Sequence, residues 1–221
     1  MAILKIKDLF DLSHTEAKEL LSPLSYPHEA LPKIADFVRA LGKSLPASLY
    51  ERVGEDVYIA KSARVAKSAL IEGPTVIGEE AEIRHCAYIR GAALIGRSAV
   101  VGNSCEIKNA ILFDCVQVPH YNYVGDSILG YRAHMGAGAI ASNIRSDKKD
   151  LTLRADGEAL ETGIRKIGTF LGDYAEIGCN AVLFPGSTVG RHSIVYPLTR
   201  VRGTVPPNVI LKDTNVYVPR T

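Results

Sequence analysis

From about residue 57 onward, apolar side chains recur at every sixth position of the chain. Helices and single strands have periods of about 3.6 and 2, so neither explains a repeat of six. A coil of short parallel strands does, because one aliphatic side chain per strand points into a narrow core and a small residue follows at each corner. The pattern therefore predicts an all-β fold, a parallel β-helix. Its first nine aliphatic positions are Ile59, Val65, Ile71, Ile77, Ile83, Ile89, Ile95, Val101 and Ile107.

The repeat is irregular in three places. It slips by one residue near Leu112 and again before Leu129, and it stops at Asn143. Residues 144–166 are polar and contain Asp156-Gly157 between short apolar runs, which is typical of a hairpin. We predict a loop here that projects from a β-helix domain spanning 57–205, with residues 206–221 as a tail that closes the end. The repeat resumes at Leu171, Ile177, Leu183, Val189, Val195 and Val201, before Pro206 and Pro207.

The first 50 residues follow a helical pattern. Ser13-His-Thr-Glu16 has the spacing of a capping box at the start of a helix. A second predicted helix follows Pro27, and Gly42 is a suitable stop signal. We predict a helical N-terminal region over 1–50, whose apolar face packs on the rest of the chain or on a neighbouring subunit. The apolar positions of its second helix are Ile34, Phe37, Val38 and Leu41.

Composition excludes several classes of protein. With 47% hydrophobic and 23% charged residues the chain is globular, and a net charge of +2 gives no reason to expect nucleic acid. No apolar run approaches the roughly 20 residues that cross a bilayer, so we expect no membrane partner. The chain shows no secretory signal and its four cysteines form no CxxC pair. We therefore expect reduced thiols and a cytoplasmic location.

Three charged residues are spaced by one full turn of a three-sided coil. Glu72, Arg90 and Lys108 each follow an aliphatic position and lie 18 residues apart. They should stack on one corner, about 4.8 Å apart. Two adjacent cations repel unless an anion lies between them, and a sugar phosphate is such an anion. The alternative is a solvated corner in which Glu72 neutralises Arg90, and the spacing alone leaves both open.

Four segments carry a resemblance to a known family. They are Glu106-Ile-Lys108-Asn, His120-Tyr-Asn-Tyr123-Val-Gly-Asp126, Gly136-Ala-Gly138-Ala-Ile-Ala-Ser-Asn143, and Lys166-Ile-Gly-Thr-Phe-Leu-Gly-Asp173 with Pro185-Gly186. The chain resembles the left-handed parallel β-helix (hexapeptide-repeat) acyltransferases. The likeness is greatest to the acetyltransferase domain of bacterial N-acetylglucosamine-1-phosphate uridylyltransferase/glucosamine-1-phosphate acetyltransferase and of archaeal sugar-1-phosphate nucleotidylyltransferases. No G-x-G-T-R nucleotide loop is present, so we expect the nucleotidyltransferase half to be missing.

The resemblance implies an enzyme, a homotrimer with its site between subunits. It would transfer acetyl from acetyl-CoA to the 2-amine of a hexosamine 1-phosphate without a metal. His120 would be the general base, although a lone histidine is more often structural. The implied substrate-binding residues are Arg90, Lys108, Tyr123, Asn143 and Lys149 (alternatively Lys148), with the loop carrying Lys149 to a neighbour. The implied acetyl-CoA contacts are Gly136, Ala137, Gly138 and Cys179, the last without a catalytic role.

One departure from the family leaves the sugar open. His134 occupies the position of a sugar-contacting Asn, so the substrate is either a glucosamine or a galactosamine phosphate, and His134 becomes a further substrate-binding candidate. Two other functions stay open. One is a non-catalytic subunit or sugar-phosphate sensor. The other is a γ-carbonic anhydrase-like metalloenzyme, which needs three histidines. His85 and His120 are available for it, but the third position falls on Gly125.

Overall fold

The computed structural model describes residues 3–155, 157–214 and 216–220. A left-handed parallel β-helix of about nine turns follows a helical N-terminal region, which confirms the predicted fold. Each turn has three faces, called first, second and third in chain order, and each face is followed by the corner of the same number. Asp156 of the hairpin signal lies outside the described residues.

Short parallel strands stack to form each face, numbered here in chain order. The first face contains β2 (Val57–Ala60), β5 (Thr75–Ile77), β8 (Ala93–Ile95), β17 (Thr169–Leu171), β20 (Ser187–Val189) and β23 (Thr204–Val205). The second contains β3 (Arg64–Val65), β6 (Glu82–Ile83), β9 (Val100–Asn103), β11 (Gln117–His120), β13 (His134–Met135), β18 (Glu176–Ile177), β21 (Ile194–Val195) and β24 (Val209–Asp213). The third contains β4 (Leu70–Ile71), β7 (Tyr88–Ile89), β14 (Ile140–Ala141), β19 (Val182–Leu183) and β22 (Arg200–Val201). Two longer strands, β10 (Glu106–Leu112) and β12 (Tyr123–Leu129), run from the third face into the first.

The two predicted slips are confirmed as two short turns. In a regular turn Ile77 pairs with Ile95, 18 residues later. Ile95 pairs with Leu112 and Leu112 pairs with Leu129, and each of these two steps is only 17 residues. The missing residue tightens the third corner inside β10 and β12. Asn109 and Asp126 stand there with φ of 47° and 50°, a left-handed conformation that Asn and Asp adopt more readily than most residues.

The predicted hairpin is confirmed. Strands β15 (Thr152–Ala155) and β16 (Glu158–Glu161) pair antiparallel, and an Ile144–Lys166 bridge closes the base of the insertion. The hairpin segment packs back on the coil, because Leu151 and Leu153 are buried. Gly186 has a φ of 78°, which favours glycine, and a Cβ there would lie 2.9 Å from Leu153 Cδ2, so a larger residue would require Leu153 to shift.

The N-terminal region contains three α-helices and two 3₁₀ turns. The helices are α1 (Ile6–Leu9), α2 (Lys18–Leu21) and α3 (Ile34–Ser44), and the turns are Leu12–His14 and Pro27–Lys33. The helix predicted after Pro27 corresponds to α3, which runs beyond Gly42. The predicted capping box is wrong, because Ser13 lies inside a 3₁₀ turn and its own N–H donates to the Asp11 side chain at 3.0 Å.

This region covers the first face of the coil. On β5, β8, β10, β12 and β17 the outward side chains of that face are at most 1% exposed, although they point away from the inner core. The Phe10 and Phe113 ring centroids lie 5.2 Å apart, and α3 packs over β5, β8 and β10. Of the two predicted alternatives, the helical region therefore packs on its own chain. The covered side chains are Val76, Leu94, Ile111, Ile128 and Phe170.

Both ends of the coil carry a reversed strand. Strand β1 (Tyr50–Gly54) pairs antiparallel with β2, and β25 (Val216–Pro219) pairs antiparallel with β24. The parallel stacking continues past Pro207, because β24 pairs in parallel with β21. Within the described ranges, no helix has both the length and the apolar composition that crossing a bilayer requires.

Candidate functional site

A buried carboxylate at the tightened third corner gathers several polar side chains. Asp126 accepts hydrogen bonds from Lys108 Nζ at 3.2 and 3.3 Å, from Asn109 Nδ2 at 2.8 Å and from Asn143 Nδ2 at 2.6 Å. Asn143 Nδ2 also donates to the Tyr123 hydroxyl at 3.0 Å. The structure thus brings together Lys108, Tyr123 and Asn143, three of the residues singled out from the sequence. We call these five residues the Asp126 cluster.

Sequence reasoning gave no role to Asp126 or Asn109. Both lay within the quoted motifs, and one signal distinguished them. Asn and Asp are enriched at left-handed backbone positions. Asn109 and Asp126 lie within the two shortened intervals of the repeat, where a tight corner is needed.

Arg90 lies one turn from Lys108 on the same corner, as the 18-residue spacing predicts. Its backbone N–H donates to the Ile107 carbonyl at 2.9 Å. Its Nη1 donates to Glu106 Oε1 at 2.6 Å, whereas Glu72 accepts a bond from the Tyr88 hydroxyl. Glu106 on the neighbouring turn, and not Glu72, supplies the counter-charge of Arg90, so this part of the solvated-corner alternative is wrong.

The phenol of Tyr123 is held neutral. Burial raises its pKa above the usual 10.0, and the nearby Asp126 and Glu106 carboxylates add to the effect. Since the Tyr123 hydroxyl already accepts a bond from Asn143, its own proton is free to donate to a ligand.

The second corner carries the other group of predicted residues. His120, Ala137 and Cys179 occupy the same position on successive turns. The Gly138 N–H donates to the His120 carbonyl at 2.9 Å, and the Asn180 N–H donates to the Ala137 carbonyl at 2.8 Å. His120 is exposed at the end of β11. The turns that follow it present Ala137, Gly138 and Cys179, while Gly136 is buried beside them. The imidazole therefore borders a strip of small residues that another molecule can approach closely.

One face connects these two corners. The third face begins three residues after His120, at Tyr123 of β12, and its far corner holds Asp126. A ligand that lies across the third face can consequently reach both the imidazole and the Asp126 cluster.

Two predicted site residues lie apart from this face. His134 is on the second face, and its Nδ1 is 2.9 Å from Glu176 Oε2. Lys149 is exposed in the hairpin segment, where its N–H donates to Asp147 Oδ1 at 3.3 Å. Among the described residues, no hydrogen bond or ion pair joins either side chain to the Asp126 cluster. Their roles in substrate binding stay predictions that need a second copy of the chain.

The two histidines proposed as zinc ligands are two turns apart. Asn103 pairs with His120, and the Ser104 N–H donates to the His85 carbonyl, so Asn103 lies between the histidines. Two turns separate their backbones by roughly 9.6 Å. Within the described part of the chain, no three His, Cys, Asp or Glu side chains are grouped as metal ligands.

Comparison with known proteins relates the chain to sugar-nucleotide enzymes. The family model described as the GMPPB C-terminal domain matches residues 71–179. A bifunctional sugar-1-phosphate nucleotidylyltransferase/acetyltransferase of Sulfurisphaera tokodaii is 33% identical over 92 residues, which are 42% of this chain and 23% of that protein. Bifunctional protein GlmU of Methanococcus maripaludis is 34% identical over 90 residues, 41% of this chain and 22% of that protein.

A third relative is matched over more of its length. The uncharacterized acetyltransferase YaiX of Escherichia coli is 31% identical over 156 residues, 71% of this chain and 67% of YaiX. By contrast, the chain spans less than a quarter of the length of the two bifunctional relatives.

Proposed function

Because the chain belongs to the hexapeptide-repeat acyltransferase family, we propose that it transfers acetyl from acetyl-CoA to the 2-amine of a hexosamine 1-phosphate. One observation carries the proposal. His120 and the small-residue strip lie at one edge of the third face, and Asp126 lies at the other with Lys108 and Asn143. The names of the bifunctional relatives join acetyl transfer to sugar 1-phosphates, which supports this choice of donor and acceptor.

The reaction needs one group that accepts and returns a proton. The substrate amine attacks the thioester carbonyl, the new C–N bond forms, and the C–S bond to CoA breaks. His120 takes the proton that the amine loses and returns it to the leaving thiolate. Backbone N–H groups along the second corner would stabilise the oxyanion that develops on the carbonyl.

The Asp126 cluster suits the acceptor sugar. Lys108 supplies a positive charge for the phosphate, with Arg90 one turn away. Tyr123 has a hydroxyl proton to donate, and the Asn143 amide can contact a sugar hydroxyl. Asp126 holds Lys108 and Asn143 in place, so the donors are oriented before the ligand binds.

A thiol-release assay with acetyl-CoA and glucosamine 1-phosphate tests the proposal. His120→Ala should lower the rate by about 10²-fold or more, since general-base catalysis contributes about 10²–10⁴-fold. His192→Ala is the matched control, because this exposed histidine lies on the first corner and should leave the rate unchanged. Equal rates for wild type and His120→Ala would refute the assigned role.

The same assay separates the alternatives. Galactosamine 1-phosphate, run beside glucosamine 1-phosphate, identifies the sugar. Saturable binding of either sugar phosphate without thiol release from wild type would instead support a non-catalytic sensor.

We also propose a homotrimer, in which His134 and Lys149 act on a neighbouring chain. Large apolar side chains are exposed beside the site, with Tyr121 66%, Leu198 77% and Ile140 40% exposed. Burial between copies would remove this surface from water. Sedimentation should give three times the 23.9 kDa chain mass, whereas a monomer would contradict both the trimer and the roles of His134 and Lys149.

A further inference from the structure

A cleft of about 550 Å³ lies between the hairpin and the third corner of the later turns. One wall is the coil, where Ser142, Phe184 and Arg202 follow the aliphatic positions of successive third-face strands. The other wall is the inserted segment. The side chains that line the cleft include Ser142, Arg145, Thr152, Arg154, Phe184 and Arg202.

The cleft is built by fixed elements of the fold. The Ile144–Lys166 bridge closes the base of the insertion, and the buried Leu151 and Leu153 seat it against Gly186. The Leu151 N–H donates to the Ile164 carbonyl at 2.9 Å, which ties the two arms of the segment together. A regular turn of the coil lacks the inserted segment and therefore has no second wall, so the insertion creates the cleft.

The lining of the cleft carries unbalanced positive charge. Arg145 is paired with Asp147 at 2.7 and 2.9 Å. Among the described residues, neither Arg154 nor Arg202 forms an ion pair with a carboxylate within 4.0 Å. The Arg202 guanidinium lies 4.8 Å from the Phe184 ring centroid and so forms a flat, cationic surface with it.

We propose that this cleft binds a nucleotide through its diphosphate. Guanidinium groups bind phosphate oxygens in pairs, and two unpaired ones suit a group with more than one phosphate. The Ser142 and Thr152 hydroxyls add hydrogen-bond donors, and the Arg202–Phe184 surface offers a stacking partner for a base. The volume lies within the usual range of about 300–1,000 Å³ for small-ligand sites.

Two sources could supply this chemistry. Ser142 immediately precedes Asn143 of the Asp126 cluster, so a nucleotide sugar could extend from that cluster into the cleft. The nucleotide part of CoA from a neighbouring chain has the same diphosphate. The inference does not rest on acetyl transfer, because it concerns binding alone.

Calorimetric titration with UDP, without an acetyl donor, tests the cleft. Wild type should bind UDP at least tenfold more tightly than uridine, which lacks the diphosphate. Arg202→Ala and Arg154→Ala should each weaken UDP binding at least tenfold. Arg202→Lys, which keeps the charge and loses the paired donors, should have an intermediate effect. Arg200→Ala is the matched control, since this exposed arginine lies on the third face and does not line the cleft.

Competition identifies the source. Displacement of UDP by UDP-N-acetylglucosamine would assign the cleft to a nucleotide sugar, and displacement by CoA would assign it to the acyl donor. Both results support a nucleotide site. The proposal is overturned if wild type fails to bind UDP at millimolar concentration, or if both Arg→Ala variants bind UDP as wild type does while melting at the same temperature.

Discussion

Replacing Asp126 by Asn tests whether the buried carboxylate organises the site. Each Asp126 oxygen accepts bonds from Lys108 and from one Asn amide. In Asp126→Asn one oxygen becomes an NH₂ that faces other donors, and Lys108 loses its buried counter-charge. A hydrogen bond to a charged group is worth about 1.5–3 kcal/mol, and the donor left facing a donor adds to this loss. The shape is kept, so no cavity contributes.

We therefore expect the free energy of unfolding to fall by about 2–4 kcal/mol, measured by urea denaturation followed by circular dichroism. Asp147→Asn makes the same charge change in an exposed ion pair with Arg145 and should leave the midpoint unchanged. A loss below about 0.5 kcal/mol for Asp126→Asn, a size typical of surface substitutions, would refute the role given to this carboxylate.

Two further predictions concern stability. Phe170→Ala removes a ring that is fully buried between the first face and the helical region, and should lower the free energy of unfolding by about 3–5 kcal/mol in urea. Val53→Ala, at a position 54% exposed, is its control, and equal midpoints would contradict the packing described. Tyr123→Phe should reduce the loss of stability above about pH 10, because the unfolded phenol ionises there while burial raises the pKa of the folded one. Urea midpoints measured between about pH 9 and 11, a range that brackets the pKa of a free phenol, check this. The control is Tyr121→Phe at an exposed phenol, and an equal flattening of its pH–stability profile would argue against the prediction.

The coil could be predicted from the sequence because its core has one repeating requirement. Each short strand sends one aliphatic side chain inward. The six-residue spacing therefore identifies Ile77 and Ile95 as core positions without any tertiary information. The two slips were also visible, since a turn shortened by one residue shifts every later aliphatic position.

The N-terminal region shows where local pattern fails. Ser13 and Glu16 have the spacing of a capping box, but the coil sets the conformation of this segment. The Asp11 N–H donates to the Asp173 carboxylate at 2.7 Å, and the Asp114 N–H donates to the His14 carbonyl at 3.1 Å. Such tertiary hydrogen bonds are not encoded in a four-residue motif.

The candidate site was predictable only in part for a similar reason. Spacing places Arg90 and Lys108 on one corner, and it does not say which carboxylates they meet. Glu106 and Asp126 come from neighbouring turns, and their partners depend on how far side chains reach from one turn to the next. Asn143 was found through its motif. The neighbouring cleft was not predictable, because it depends on how the inserted segment packs on the coil within a turn that takes 42 residues.

The reversed strands at the two ends of the coil affect whether one molecule can join another end to end. A stack of parallel strands presents open edges that could join the next molecule and grow into a fibre. Here β1 and β25 run in the opposite direction, so an incoming coil cannot continue the parallel register. Glu51 and Arg52 place charge on one outer edge, and Pro219 lacks the N–H that a further strand would need on the other. On the two faces that they cover, the reversed strands therefore oppose end-to-end growth of the coil.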